Sequence, residues 1–325
     1  MQHQTDSTSA LKVAAIQMEC ENGNVQGNLR RADELIEQAA TQGAELVLLP
    51  ELTPNGFQMT EALWDGAEPF DGPIAQWLKH NSKRLGIHLG MTFLEADGED
   101  FFNTFALSTP EGAIAGRVRK SPPCSFEAYF YRGGNDSHVI ETELGRIGVG
   151  ICYENAFYER LSALQDASVD LVLQPMSAPS PMASFPLRRK DVEDFNRLLG
   201  DTPGYYAKTL GVPVVMANKC GRFTTQLPAF FPAQKLVFPG LSAIVDGDGV
   251  IRRQLGDTEG VIVAEVTIAS SRKVTRRPQA VGRWAMSPQW FAFIWEWTQR
   301  MGERAYAKNA RRRARARAVS EQATI

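Results

Sequence analysis

The sequence predicts an α/β fold, an α-β-β-α sandwich of two mixed sheets with a C-terminal helical extension. Strands and helices interleave along the chain, and hairpin signals recur between neighbouring strands. Two stretches, AELVLLPE and VDLVLQPM, each follow a helix and end an apolar run at a proline. The interleaving requires helices packed on sheets, and the hairpins make those sheets mixed rather than purely parallel. The paired strand ends suggest two similar αβ halves related by a pseudo-twofold axis.

Residues 12–17 (KVAAIQ) read as a buried strand, and residues 28–42 as a helix with Leu29, Ala32, Ile36, Ala39 and Ala40 on one face. Residues 44–49 form the next strand, ending at Pro50. A helix over 71–84 leads to a strand over 88–93. Strands over 102–108 and 113–119 are joined by Thr109-Pro110-Glu111-Gly112, which is hairpin chemistry. The second half begins with the apolar strand 146–151, which runs into Cys152. A helix over 156–168, a strand over 170–174, a helix over 192–210 and strands over 212–217, 241–246 and 261–266 follow. Asp246-Gly247-Asp248-Gly249 marks another hairpin. No Pro/Gly/Ser-rich linker interrupts residues 10–270. One main domain over 11–270 is therefore expected, after a disordered N-terminus (1–10) and before an extension over 271–325.

Of the 325 residues, 43% are hydrophobic and 22% charged, a globular composition that excludes a largely disordered chain. The start MQHQTDSTSA lacks the basic region and apolar core of a signal peptide. No window approaches the roughly 18 apolar residues that span a bilayer. A cytoplasmic protein with no membrane partner is expected. Cys20, Cys124, Cys152 and Cys220 lie far apart without CxxC spacing, and His3, His80, His88 and His138 have no metal-ligand spacing. Neither a disulfide framework nor a metal site is expected, and a hydrolytic base is expected to be a carboxylate.

The net charge of −2 is uneven. From Arg300 onward eight Lys/Arg stand against Glu303 and Glu321, a net +6 that leaves residues 1–299 near −8. The run ARRRARARA (310–318) reads as a solvated tail or a contact with an acidic face of a sister subunit, with nucleic-acid binding as the alternative. Before it, Trp290, Phe291, Phe293, Ile294, Trp295 and Trp297 need a partner surface, on the parent domain or across a dimer; a membrane-surface helix is the alternative.

Four residues carry candidate chemistry. Cys152 sits where a buried strand meets a sharp turn before a helix, a place that exposes the sulfur and offers helix-start N–H groups to lower its pKa or bind an oxyanion. A core cysteine is the competing reading. Glu51 follows Pro50 at the mouth of an apolar strand, where burial would raise its pKa toward that of a general base; a surface turn residue is the alternative. Lys120 ends the strand 113–119, and Glu127 lies in the aromatic-rich SFEAYF.

PEL around Glu51, RVRK ending at Lys120, FEAYFYRGG around Glu127 and GVGICYEN around Cys152 stand in the order and approximate spacing of the nitrilase superfamily of carbon–nitrogen hydrolases, which the chain resembles over roughly residues 11–270. VMANKCG (215–221) and FPGLSAIVDGDG (238–249) extend the resemblance. It implies a nitrilase-like sandwich, usually paired as a homodimer or higher homo-oligomer through its helical face. It also implies a Glu51–Lys120–Cys152 triad with Glu127 as a second glutamate, and no metal or organic cofactor. Cys152 would attack an amide carbonyl or nitrile carbon, with Glu51 as base, Lys120 and the Tyr153 N–H at the oxyanion, and Glu127 orienting Lys120. Tyr153 and Glu154 are the expected substrate-binding residues.

The chain also departs from the family's patterns. Ser121-Pro122-Pro123 replaces the His-Leu-Pro that many members carry, and Glu154 stands where amidase branches have Asp. Glu154-Asn155 resembles nitrilases, whereas Tyr153 resembles amidase-like members. The expected activity is hydrolysis of a small carboxamide. The alternatives are a nitrilase and a catalytically dead binding protein with an RNA-binding tail, against which the intact set of four residues argues.

Overall fold

The computed structural model describes residues 8–229 and 231–321. Apolar runs form β1 (Thr8–Gln17), β2 (Leu46–Leu48), β3 (His88–Asp97), β4 (Asp100–Ser108) and β5 (Ile114–Arg119). β6 (Val139–Thr142), β7 (Gly145–Val149), β8 (Leu171–Pro175) and β9 (Val214–Ala217) follow. β10 (Cys220–Thr225) and β11 (Gln234–Pro239) make a separate two-stranded ribbon, before β12 (Ala243–Val245), β13 (Ile251–Gln254) and β14 (Gly260–Ala269).

The first sheet runs β14-β1-β2-β3-β4-β5 and the second β13-β12-β9-β8-β7-β6. Each has a parallel trio, β1-β2-β3 or β7-β8-β9, with antiparallel strands on both flanks. This is the mixed, two-fold repeated arrangement expected from the sequence. β2 and β8 sit mid-trio, which is why AELVLL and DLVL read as unbroken apolar runs: both faces are buried. Leu46 and Leu48 face the core between the sheets with Val149, Leu171, Leu173 and Val215. Val47 and Leu49 face the opposite layer, where α1 (Val25–Thr41) and α2 (Pro73–Leu85) bring Leu29, Leu35, Ile36, Ile74 and Leu78. α3 (Tyr158–Asp166) and α4 (Arg189–Leu210) cover the second sheet through Leu161, Leu164, Tyr206 and Leu210.

Several boundaries differ from expectation. Residues 1–7 of the expected disordered N-terminus lie outside the described residues, but Thr8–Ala10 already pair with β14, as Thr8 opposite Ala269. The sharp turn expected after Cys152 is a 3-10 turn, Cys152–Ala156, and the helix expected over 156–168 is the shorter α3. β6 and the β10–β11 ribbon carry weaker patterns and were not anticipated.

The C-terminal extension folds back on its own domain as α5 (Ala292–Lys308) and α6 (Ala310–Ser320). Between them Asn309 caps α6, its Oδ1 accepting from the Arg312 N–H at 3.0 Å. The basic run is therefore a helix, and it meets an acidic patch of the same chain. This corrects the solvated tail. Arg312 is buried, pairs with Asp100 at 2.5 Å and lies 4.0 Å over the Tyr306 ring. Arg315 pairs with Asp65 and Arg317 with Glu99.

α5 rests on the 3-10 turn Ser125–Tyr129, the turn that holds Glu127. Ser125 and Thr298 share a 2.7 Å hydroxyl–hydroxyl hydrogen bond. A Cβ on Gly302 would lie 2.8 Å from the Ala128 carbonyl carbon, so α5 approaches this closely only because residue 302 has no side chain. Gly302→Ala is expected to cost about 1–3 kcal/mol of stability through overpacking and to lower catalytic activity with it. Urea unfolding measures the first; an unchanged midpoint would mean that α5 is not seated on this turn.

Candidate active site

The ends of strands from both sheets converge on one point. Glu51 lies just past β2 and is fully buried; its backbone N–H donates to the Met176 carbonyl, just past β8, at 3.1 Å. The two similar strand ends read from the sequence thus meet each other. Lys120 follows β5 and is also fully buried, its Nζ donating to Glu51 Oε1 at 2.6 Å and to Glu127 Oε2 at 2.7 Å. Glu127 Oε2 accepts the Cys124 N–H as well, at 2.6 Å.

Charge this deep survives only when paired. Burial alone would depress Lys120, but Glu127 and Glu51 outweigh it and hold the ammonium well above the ordinary lysine range. Burial raises Glu51 above the usual carboxylate range; Lys120 pulls it partly back, while Glu127 pushes it up. Burial pushes the Cys152 thiol well up, Glu51 adds to this, and Lys120 opposes it. The turn after Cys152 pointed to a lowered thiol pKa; burial and the neighbouring Glu51 carboxylate act in the opposite direction.

Cys152 stands at φ 51°, a left-handed conformation rare for a side-chain-bearing residue and costly unless its surroundings enforce it. Asn155 enforces it, its Nδ2 donating to the Gly150 carbonyl at 2.8 Å and the Cys152 carbonyl at 3.0 Å. A Cβ at position 150 would fall 2.1 Å from Asn155 Oδ1, which accounts for the glycine.

Glu51, Lys120, Glu127 and Cys152 are thus brought together, and Tyr153 lines the adjoining cavity. Glu154 does not. It is fully buried and its oxygens accept from the backbone N–H groups of Ser121 (2.6 Å) and Ile151 (2.7 Å), with His138 Nε2 at 2.7 Å and Arg160 at 3.4 Å. Burial opposes its ionisation, but His138, Arg160 and these donors hold its carboxyl below the usual range. The expected substrate contact is corrected to a tie between the segment after Lys120 and the segment before Cys152.

Sequence reasoning missed Asn103, whose Nδ2 donates to Glu51 Oε1 at 2.7 Å; a buried Asn in the apolar FFNTF was its one signal. It also missed Lys219, fully buried, which donates to the Gly56 carbonyl at 2.9 Å and so pins the loop after Glu51. Among the described residues no cluster of His, Cys, Asp and Glu could hold a metal, and no helix is long and apolar enough to cross a membrane.

The carbon-nitrogen hydrolase family model matches residues 12–276. The chain is 26% identical to an N-carbamoylputrescine amidase of Solanum lycopersicum over 263 residues, 78% of this chain and 85% of the relative. It is 28% identical to nitrilase 3 of Arabidopsis thaliana, over 52% of this chain and 55% of that one. In fold it is similar to a carbon-nitrogen hydrolase from Helicobacter pylori G27 (TM-score 0.72, 18% identity, 79% and 89% of the two chains covered). An amidase from Nesterenkonia sp. has a similar fold (TM-score 0.60, 22% identity, 78% and 89% covered).

If Cys152 rests as a thiol, its alkylation by iodoacetamide tracks a small thiolate fraction. The rate at Cys152, read by peptide mass spectrometry, is expected to climb through pH 9.5 without levelling. A plateau below pH 8 would show a resting thiolate.

Proposed function

Because the chain belongs to the carbon–nitrogen hydrolase family, we propose that it hydrolyses a carboxamide to an acid and ammonia or an amine, with Glu51, Lys120, Glu127 and Cys152 performing the chemistry. The observation that supports this most is the Lys120 ammonium held between Glu51 and Glu127 beside a thiol on a strained turn. Glu51 takes the thiol proton as the Cys152 sulfur bonds to the carbonyl carbon, and the carbonyl π electrons move to its oxygen. Lys120, kept charged by both carboxylates, stabilises that oxyanion with help from the Tyr153 N–H. When the tetrahedral carbon collapses, the C–N bond breaks and the nitrogen departs with the proton that Glu51 held. A thioester on Cys152 remains. Glu51 then removes a proton from water, whose oxygen attacks the thioester carbon, and the acid leaves as the thiol is restored.

The charge of the buried cluster supports this order of events. Two carboxylates and one ammonium give it a net −1, and moving a proton from sulfur to Glu51 leaves that total unchanged. The raised pKa of Glu51 makes it a stronger base than an exposed glutamate, and the raised pKa of the thiol requires such a base.

A nitrile path shares the first attack, and Glu154-Asn155 after the cysteine favours it as the second reading. Amide and nitrile partners with the same acyl group separate the two. The amide is expected to have the larger kcat/KM, and Cys152→Ala to lose about 10⁴-fold or more on either with an unchanged circular dichroism spectrum. Faster nitrile turnover with acid as the main product would replace the amide reading. An active Cys152→Ala variant would remove the cysteine mechanism altogether.

A further inference from the structure

Cys152 opens onto a cavity of about 440 Å³ whose chemistry is one-sided. Its walls include Met176, Leu199, Phe195, Tyr153, Trp284 and Trp295. The rings brace one another. Trp295 stands edge-on to Tyr153 (centroids 6.0 Å apart, 90°), to Phe195 (5.8 Å, 75°) and to Phe291 (5.3 Å, 85°). Trp284 stacks on Phe157 at 5.1 Å. Trp284 and Trp295 both come from the segment after residue 270, so part of the substrate chamber is built by the C-terminal extension.

Among the described residues, Glu127 is the one charged side chain lining this cavity, and Lys120 already occupies it. Among the described residues no cationic side chain lines the wall to meet a carboxylate on the substrate, and no second acid to meet an ammonium. The buried polar atoms left over on the wall are neutral: Tyr153 Oη and Ser177 Oγ have no hydrogen-bond partner. Each can bond a hydroxyl, ether or carbonyl, and neither can neutralise an ion. A charge brought into such a site loses its hydration without compensation. The volume far exceeds that of a one- or two-carbon acyl group, which would leave most of the aromatic wall without contact.

From this we infer that the substrate carries a bulky, uncharged, predominantly apolar acyl group, and that Trp295 of the extension is a specificity-determining wall for it. The inference rests on the reading of Cys152 as the nucleophile for an amide, and it names the class of amide. Short aliphatic amides and amides with an ionised tail are poor substrates for such a chamber. Each buried methylene favours binding by about 0.8 kcal/mol, or roughly fourfold, so the preference accumulates quickly with acyl size.

Four amides test it: acetamide, heptanamide, 3-phenylpropanamide and 6-aminohexanamide, whose ammonium replaces the terminal methyl of heptanamide at nearly equal size. Ammonia release by the full chain is measured for each, and the Cys152→Ala protein is titrated with the same compounds by calorimetry. The expected kcat/KM rises roughly 100-fold or more from acetamide to heptanamide and 3-phenylpropanamide, and falls roughly 100-fold from heptanamide to its ammonium isostere. Trp295→Ala narrows the 3-phenylpropanamide-to-acetamide ratio at least about tenfold, and Trp295→Phe keeps most of it. Acetamide turned over as well as the large amides, or the ammonium isostere as well as heptanamide, would overturn the inference and leave the amidase reading standing. If none of the four is hydrolysed, the amidase reading fails and calorimetry decides the inference alone. Tighter binding of the two large neutral amides upholds it; equal or tighter binding of the ammonium compound overturns it. The wild-type panel needs no variant to fold.

Discussion

Everything in the site is organised around one ammonium. Lys120, fully buried, is shared between Glu51 at 2.6 Å and Glu127 at 2.7 Å, and none of the three charges would be tolerable there without the others. The pairing has a chemical consequence as well as a structural one. Two acids hold Lys120 charged, and it would face a developing oxyanion as a cation under the proposed mechanism, while burial raises the pKa of both Glu51 and Cys152. Removing one member would leave the remaining charges unbalanced in a low-dielectric interior, so the cluster acts as a unit.

The scaffold supplies that cluster from separate pieces, and each piece is held by a specific contact. Glu51 is fixed by the Met176 carbonyl and by Asn103, and the loop after it by Lys219. Cys152 is held in its strained turn by Asn155, and the segments around Lys120 and Cys152 are tied by Glu154 with His138. Glu127 depends on the most distant part of the chain. Its turn is seated on α5, and α5 continues into α6, whose arginines grip Asp65, Glu99 and Asp100. The C-terminal helices thereby link an ion-pair clamp on the surface to the placement of Glu127 and to one wall of the cavity.

Much of this was legible before the structure. An acid after the apolar run LVLLP, a lysine closing a strand and a cysteine after GVGI are conspicuous because strand ends bring side chains to a common edge. Burial of both faces made the central strands readable as unbroken apolar runs. Residues that act by holding others were harder to see. Asn103 and Lys219 have partners set by tertiary placement, and Glu154 looked like a substrate ligand because it stands two residues after Cys152, the expected nucleophile. The fate of ARRRARARA was hidden for the same reason: its acidic partners lie more than 200 residues earlier in the chain. The turn after Cys152 is visible in sequence, whereas the carboxylate beside it and the depth of burial, which raise the thiol's pKa, are not.

The most direct measurement is the mass of the protein during turnover. A large excess of an amide is mixed with the enzyme, the reaction is quenched in acid, and the intact protein and its peptides are weighed. The account predicts a fraction of the chain heavier by the acyl group less one hydrogen, with the added mass on the peptide that contains Cys152. Acyl mass on a different residue, or steady acid production through quenches at every time with no adduct on Cys152, would contradict it.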